Sequence, residues 1–405
     1  MNRVVDLFAG CGGLSLGFQN AGFEIVGAFE SWKLAADCYR QNFTHPVYQT
    51  DLSDVETAIK EIEALSPDII IGGPPCQDFS HAGKRVENNR AALTESFAQI
   101  VISISPQWFV MENVERVQTS AAYDAARRIF KKAGYGLTEV VIDASYCGTP
   151  QKRKRFFCIG SKGQEDCFLS ESIKSNLSTK ETTIRDYFGS ALDFEYYYRH
   201  PRNYNRRAIF SVDEPAPTIR GVNRPVPQGY TGHPKDACEL NASIRAMTTL
   251  ERARIQTFPA DFEWIGNKTD MEQMIGNAVP VSLAEFVAKE LQHHIKQCSI
   301  VSKATIADYD RFFQWLKATQ KMTERAQRDI VSRLKRANAF CELPTNPDAY
   351  YRFCLEQSDG FKMLTSTVRS QLRRAIALYV DFCHSDYSSM PVLQNAISSA
   401  KQSYQ

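Results

Sequence analysis

Short apolar runs alternate with stretches of helical period over the first ~160 residues. Val4 to Phe8 is the first run, bounded by Gly10. The helical stretch after it stops at Asn20-Ala21-Gly22, where glycine favours termination. Glu24 to Phe29 predicts a second strand and Val47 to Thr50 a third. Asp68-Ile69-Ile70-Ile71 predicts a buried strand broken by Gly72-Gly73-Pro74-Pro75. Trp108-Phe109-Val110-Met111 predicts another, followed by Glu112-Asn113. Leu137 to Ile142 and Arg155 to Ile159 complete the set. Strands alternating with helices predict an α/β fold around a parallel sheet.

The pattern breaks twice. Residues 161–245 hold several glycines and prolines, few periodic runs and an aromatic-basic cluster, which predicts a small irregular domain. Helical period returns at Thr248 and again from Val281 to about Gln297. Beyond residue 300, Tyr309, Phe312, Phe313 and Leu316 define one helix face, Ile330, Leu334 and Ala337 a second, and Val368, Leu372, Ile376 and Tyr379 a third.

Charge sharpens this division. The whole chain of 405 residues carries 48 Lys and Arg against 46 Asp and Glu, so any basic surface must be local. Residues 300–405 hold 15 basic and 10 acidic residues, about +5, against about −3 for the first 299. Hydrophobic residues make up 43% and charged residues 23%, which excludes a largely disordered chain. The 11 cysteines form no CxxC pair, which fits reduced thiols in a cytoplasmic protein better than disulfides or zinc. The 7 histidines show no ligand spacing, so no metal is expected. No apolar run approaches the ~20 residues of a membrane span, and the start of the chain lacks the form of a signal peptide.

Three segments carry candidate chemistry. Asp6-Leu7-Phe8-Ala9-Gly10-Cys11-Gly12-Gly13-Leu14 leads from a strand through a glycine-rich turn into a helix, where backbone N–H groups favour anionic ligands. Glu30, after the second strand, can hold ribose hydroxyls. Asp51, after the third, can reach an adenine edge. These residues alone indicate a nucleotide-like cofactor, with NAD still open. The second segment, Gly72-Gly73-Pro74-Pro75-Cys76-Gln77-Asp78-Phe79-Ser80, sets a cysteine in a rigid turn on the ligand side of the sheet. A lone cysteine is usually an inert apolar residue, but this one stands outside any hydrophobic run. The third, Tyr196-Tyr197-Tyr198-Arg199-His200-Pro201-Arg202-Asn203-Tyr204-Asn205-Arg206-Arg207, interleaves rings and cations as nucleic-acid contacts do. The competing reading of that run is a core strand of tyrosines with arginines along its wet edge.

Five motifs in order give the sequence a specific resemblance. Phe8-Ala9-Gly10-Cys11-Gly12-Gly13, Pro74-Pro75-Cys76-Gln77, Glu112-Asn113-Val114, Gln151-Lys152-Arg153-Lys154-Arg155 and Gln273-Met274-Ile275-Gly276-Asn277-Ala278-Val279-Pro280 cover residues 1 to about 295. In these it resembles the DNA cytosine-5 methyltransferase family, in particular the bacterial type II restriction-modification methylases. The resemblance implies a Rossmann-like S-adenosylmethionine-dependent domain over 1–160, returning at 246–298, and a target-recognition domain over 161–245. Residues 299–405 would be an extra helical domain, faintly similar to the arm domain of tyrosine recombinases.

The resemblance also implies site residues. Cys76 would add to C6 of cytosine and so activate C5. Glu112 would engage N3 and the 4-amino group, and Arg153 and Arg155 the O2 side. Phe8, Gly10, Gly12, Leu14, Glu30, Asp51, Leu52, Pro74 and Asn277 would surround S-adenosyl-L-methionine. Ser80, Arg199, Arg202, Arg206, Arg207, Arg220 and Arg224 would contact duplex DNA, with the base flipped out of the stack. A restriction endonuclease would share the system without a stable complex. One departure concerns adenine: the position after the ribose acid is Ser31 rather than a large side chain, with Trp32 next. RNA methylation and a catalytically silent regulator are the competing functions.

Overall fold

The computed structural model describes residues 2–75, 84–201, 206–299, 306–345, 347 and 349–385. Cys76, Ser80 and Arg202 lie outside the described residues. The chain divides into two units, Met1–Ser161 with Asp166–His294, and Lys162–Glu165 with Ile295–Gln405.

The first unit begins β1 (Arg3–Leu7), α1 (Gly13–Asn20), β2 (Glu24–Phe29), α2 (Lys33–Asn42), β3 (Val47–Tyr48) and α3 (Val55–Glu63). It continues β4 (Ile69–Gly72), α4 (Lys84–Ile104), β5 (Trp108–Val114), α5 (Ala121–Lys132), β6 (Tyr135–Asp143), β7 (Gln151–Lys152) and β8 (Lys154–Lys162). Next come α6 (Ser170–Asn176), α7 (Ile184–Phe188), β9 (Tyr196–Tyr198), β10 (Ile209–Ser211) and β11 (Ala216–Pro217). The helices α8 (Thr249–Ile255), α9 (Lys268–Asn277) and α10 (Val281–Ser299) follow.

The central sheet has the order β3-β2-β1-β4-β5-β8-β6. Val4, Val5 and Leu7 of β1 and Ile69, Ile70 and Ile71 of β4 are fully buried. Continuous burial of that kind is what a parallel strand covered on both faces requires. From β1 the chain winds one way through β2 and β3, then returns to place β4 on β1's other side. The crevice at the carboxyl ends of β1 and β4 is therefore a topological switch point, where open α/β sheets bind ligands. The strand pattern predicts a parallel sheet, and the structure departs from it at β8: this strand runs antiparallel to β5, with Val114 opposite Arg155 and Glu112 opposite Phe157.

One core fills the side under α3, α4 and α5, with Leu7, Ile70, Phe97, Phe109 and Phe130. The other brings Cys11, Ala28, Ala36 and Tyr39 against Phe258, Phe262, Met274 and Val281, so the early and late parts of the unit close on each other. Capping boxes start α8, at Thr248 with Glu251, and α9, at Asn267 with Asp270. Between β8 and α8 the regular pairing is sparse. β9 and β10 form an antiparallel pair, and β11 pairs in parallel with β7 through Ala216 opposite Gln151.

The second unit contains α11 (Ile306–Thr319), α12 (Glu324–Asn338), α13 (Ala349–Gln357), α14 (Asp359–Lys362) and α15 (Ser366–Cys383). Phe312, Leu316, Leu334, Leu372 and Tyr379 fill its own core. Among the described residues no helix is long and apolar enough to cross a membrane.

A buried polar chain underlies the glycine turn. Ser15 Oγ donates to Asp6 Oδ2 at 2.6 Å, and Tyr39 donates to Ser15 Oγ at 2.7 Å. Asp6 Oδ1 is buried without a hydrogen-bond partner among the described residues. Burial raises the Asp6 pKa from the ordinary 3.8 to about 7, against the pull of the Ser15 hydrogen bonds. Between those values the folded chain keeps a proton that the unfolded chain releases. The stabilisation is complete below about pH 4 and is lost as the pH rises through 7. Asp6→Asn has no such proton to lose. Its stability relative to the parent chain is expected to improve from about pH 5 to about pH 8, by up to ~3 kcal/mol. Parallel melts at the two pH values measure the change, and a constant difference would refute the assignment.

Candidate active site and nucleic-acid cleft

The switch-point crevice is shaped by backbone that only small residues allow. Gly10 has φ +57°, and a Cβ built there meets nothing within 4 Å, so the surface over it is open. Gly13 is close-packed instead, since its Cβ would stand 2.4 Å from the Val279 carbonyl oxygen. Phe8, at φ 59°, is the non-glycine residue that shares this strained turn. Glu30 braces it from β2: Gly10 N–H donates to Oε2 at 2.8 Å and Trp32 N–H to Oε1 at 2.7 Å. Burial raises the Glu30 pKa, and these backbone bonds offset part of the rise.

The other expected cofactor residues stand at or near the ends of α1, β3, β4 and α9. Leu14 and Leu52 are buried, Asp51 is exposed three residues beyond β3, and Pro74 follows β4. Asn277 is exposed at the end of α9. Trp32 packs against the core containing Tyr39 and Phe43, and Ser31 is exposed. The donor set suits a nucleoside with a charged amino-acid tail: a carboxylate for hydroxyls, open backbone at a helix start and an apolar floor.

The second half of the crevice belongs to β5 and β8. Arg155 Nε lies 2.8 Å from Glu112 Oε1, and both side chains are nearly buried. Burial raises the Glu112 pKa, and Arg155, then Arg153, offsets part of that rise. Burial likewise works against the charge on Arg155. Burial and pairing thus oppose each other on both groups. Gly73 makes room for the pair, because a Cβ there would stand 2.9 Å from Glu112 Oε2. Asn113 Nδ2 donates to the Pro74 carbonyl at 2.8 Å, tying the turn before Cys76 to the strand that carries Glu112. The described residues break off after Pro75 and resume at Lys84, so Cys76 lies outside them.

Arg153 departs from expectation. Its side chain is 1% exposed and turns inward, away from a base-holding position beside Arg155. Nη1 donates to the Ile219 carbonyl at 3.0 Å, and Nη2 to the carbonyls of Gly276 and Ala278, each at 2.9 Å. The physical reason is that Arg153 falls between β7 and β8, where strand alternation is interrupted. Gln151 and Gln256 extend the clamp: Gln151 Nε2 donates to Gln256 Oε1 at 2.8 Å, and Ile219 N–H donates to Gln151 Oε1 at 2.8 Å. Sequence reading missed Gln256, which stands 105 positions from its partner and in none of the five motifs.

The tyrosines of the aromatic-basic segment follow the core-strand reading. Tyr197 and Tyr198 are buried core residues of β9. The arginines line a cleft of about 630 Å³ with Lys152, Arg199, Arg206, Arg207 and Arg220 on its walls and Glu214 as the acid among them. Arg207 pairs with Glu214 and lies 4.1 Å over the Phe210 ring. Arg199 Nη2 donates to the Thr218 carbonyl at 2.8 Å, and Arg220 Nη2 to the His200 carbonyl at 2.5 Å. Arg206 is exposed, and Arg224 stands outside the cleft lining. Among the described residues no group of His, Cys, Asp and Glu is arranged to hold a metal ion.

The family model of C-5 cytosine-specific DNA methylases matches residues 2–293. The chain belongs to that family. It is 56% identical over 298 residues to the type II methyltransferase M.HindV of Haemophilus influenzae, across 73% of this chain and 98% of that relative. It is 54% identical over 296 residues to M.HgiDI of Herpetosiphon aurantiacus, across 73% of this chain and 96% of that one. Among solved structures, a DNA modification methyltransferase encoded within an E. coli prophage shares the fold at TM-score 0.54 and 23% identity, covering 73% of this methylase and 100% of that chain. The Dnmt2 methyltransferase of S. pombe does so at TM-score 0.54 and 18% identity, covering 73% and 99%.

Proposed function

We propose that this methylase is the modification enzyme of a bacterial type II restriction-modification system, acting in the cytoplasm on C5 of one cytosine within a short duplex sequence. The observation that carries the reading is the nearly buried Glu112–Arg155 pair facing the Gly73-Pro74-Pro75 turn that leads into Cys76. Its relatives at 54–56% identity are type II methyltransferases by name, which supports the biological setting. A cognate endonuclease would cut the same sequence when unmodified.

In this reading S-adenosyl-L-methionine occupies the crevice, with Phe8, Gly10, Gly12 and Leu14 around its methionine part and Glu30 at the ribose. Asp51 and Leu52 take the adenine, and Pro74 and Asn277 close the pocket. The group supplies an electrophilic methyl. The chain's own residues prepare the acceptor. The cytosine must be flipped out, because its reactive face is inaccessible in the stack. Cys76 thiolate adds to C6, and the ring electrons move toward C5 and N3. Glu112, whose burial favours the protonated carboxyl, donates to N3 and accepts from the 4-amino group. Arg155 holds O2 and stabilises charge on the ring. Arg153 acts as a positioning residue, through the carbonyls it clamps. After transfer, the C5 proton leaves to water and Cys76 is eliminated.

Residues 1–160 with 246–298 form the catalytic part in this proposal, and 161–245 the target-recognition part. The five cations of the cleft would meet phosphates and base edges. Ser80, Arg202 and Arg224 would add contacts nearby. A base-resolution map of 5-methylcytosine in a methylation-free bacterial host expressing the chain tests the proposal. Modified cytosines confined to one short motif are expected. Soluble protein with no 5-methylcytosine in the host DNA would refute it.

A further inference from the structure

The family match ends at residue 293, so helices α11 to α15 lie beyond the methylase pattern. They are not a frayed tail, because they bury a core of their own. The question is what their surface faces.

α12 answers most clearly. Gln327, Ile330, Leu334 and Ala337 are buried, which fixes the inward face of the helix. The outward face carries Arg325, Arg328, Lys335 and Arg336, with Glu324 and Asp329 as its acids. At 1.5 Å per residue this strip runs ~17 Å, about the span of several phosphates along one DNA strand. Arg328 is engaged by Glu324 at 2.7 Å, and Lys335 lies 5.3 Å from the centre of the Tyr309 ring. Among the described residues, neither Arg325 nor Arg336 has a carboxylate partner. The charge balance agrees with the local picture, since the excess of basic residues in this chain falls in residues 300–405.

We infer that the outward face of α12 is a second DNA-contact surface, which grips the phosphate backbone outside the methylated sequence. The inference rests on the reading of duplex DNA as substrate. A surface of this kind carries no base readout. It adds affinity, salt dependence and footprint length.

The test is the full-length double variant Arg325→Glu with Arg336→Glu. Binding is measured against salt on a duplex of about 40 bp holding one recognition site and on one of about 14 bp, with the slope of log affinity against log salt as the readout. On the long duplex the variant is expected to bind on the order of 10-fold or more weakly at low salt, with a slope smaller by about 2. On the short duplex the two proteins are expected to bind and methylate alike, which also shows that the catalytic unit is intact. Equal slopes on the long duplex, with helix content unchanged, would overturn the inference. So would equal DNA binding combined with loss of self-association in sedimentation, which would give the face to a second copy of the chain. The slope is read without turnover, so a failure to methylate DNA is distinguishable from a failure of this surface.

Discussion

Cys76→Ala is expected to lower methyl transfer by on the order of 10⁴-fold or more, while duplex binding stays within about 3-fold of the parent chain. C5 of cytosine is too poor a nucleophile to take a methyl group unaided. Addition at C6 is what raises its electron density, and alanine offers no group that can add. The duplex, by contrast, would be held by the cations of the arginine-lined cleft and by the Glu112–Arg155 pair, all of which remain in the variant. Single-turnover transfer of a labelled methyl group, measured beside the duplex Kd, separates the two effects. Turnover within about 10-fold of the parent would sink the covalent route.

Arg153→Ala and Arg155→Ala are expected to fail in different ways, although the residues are two positions apart. Removing Arg153 strips the carbonyls of Ile219, Gly276 and Ala278 of a charged donor in a dry interior. The expected cost is on the order of 4 kcal/mol of stability, read as a large fall in Tm or in soluble yield. Removing Arg155 leaves Glu112 without its cation, and the carboxyl can respond by taking up a proton. Its melting temperature is expected to fall much less, while kcat falls on the order of 10²-fold for want of the group at O2. An Arg153→Ala protein that melts like the parent yet is inactive would return Arg153 to direct contact with the base.

That contrast marks where the sequence was readable. The strands around the switch point could be read because each is a short apolar run ended by glycine, proline or an acid. Glu112 and Arg155 could be paired by motif, and the antiparallel register of β8 on β5 supplies the geometry that brings them together. The antiparallel direction itself was hidden, since an apolar run carries no arrow. The fate of Arg153 was hidden too. A Gln-x-Arg-x-Arg spacing puts both arginines on one face of a regular strand, and only the break between β7 and β8 turns one of them inward. The tyrosine run was half legible: its sequence could not tell core rings from nucleic-acid contacts, and only the packing shows Tyr197 and Tyr198 buried in two separate clusters.

The closure of the glycine turn by distant chain has a consequence for how the protein comes into being. Cys11 Sγ meets the Met274 carbonyl across 263 positions, and Gly17 is packed so tightly on Ala284 that a Cβ would stand 2.4 Å away. A ribosome must therefore deliver almost the whole family region before the glycine turn can be closed. A nascent chain can form its first strands long before it can hold a methyl donor. The same arrangement predicts that the protein can be divided and reassembled. Two fragments parted within residues 161–245 would each own half a cradle, and methylated DNA would record that the halves had met.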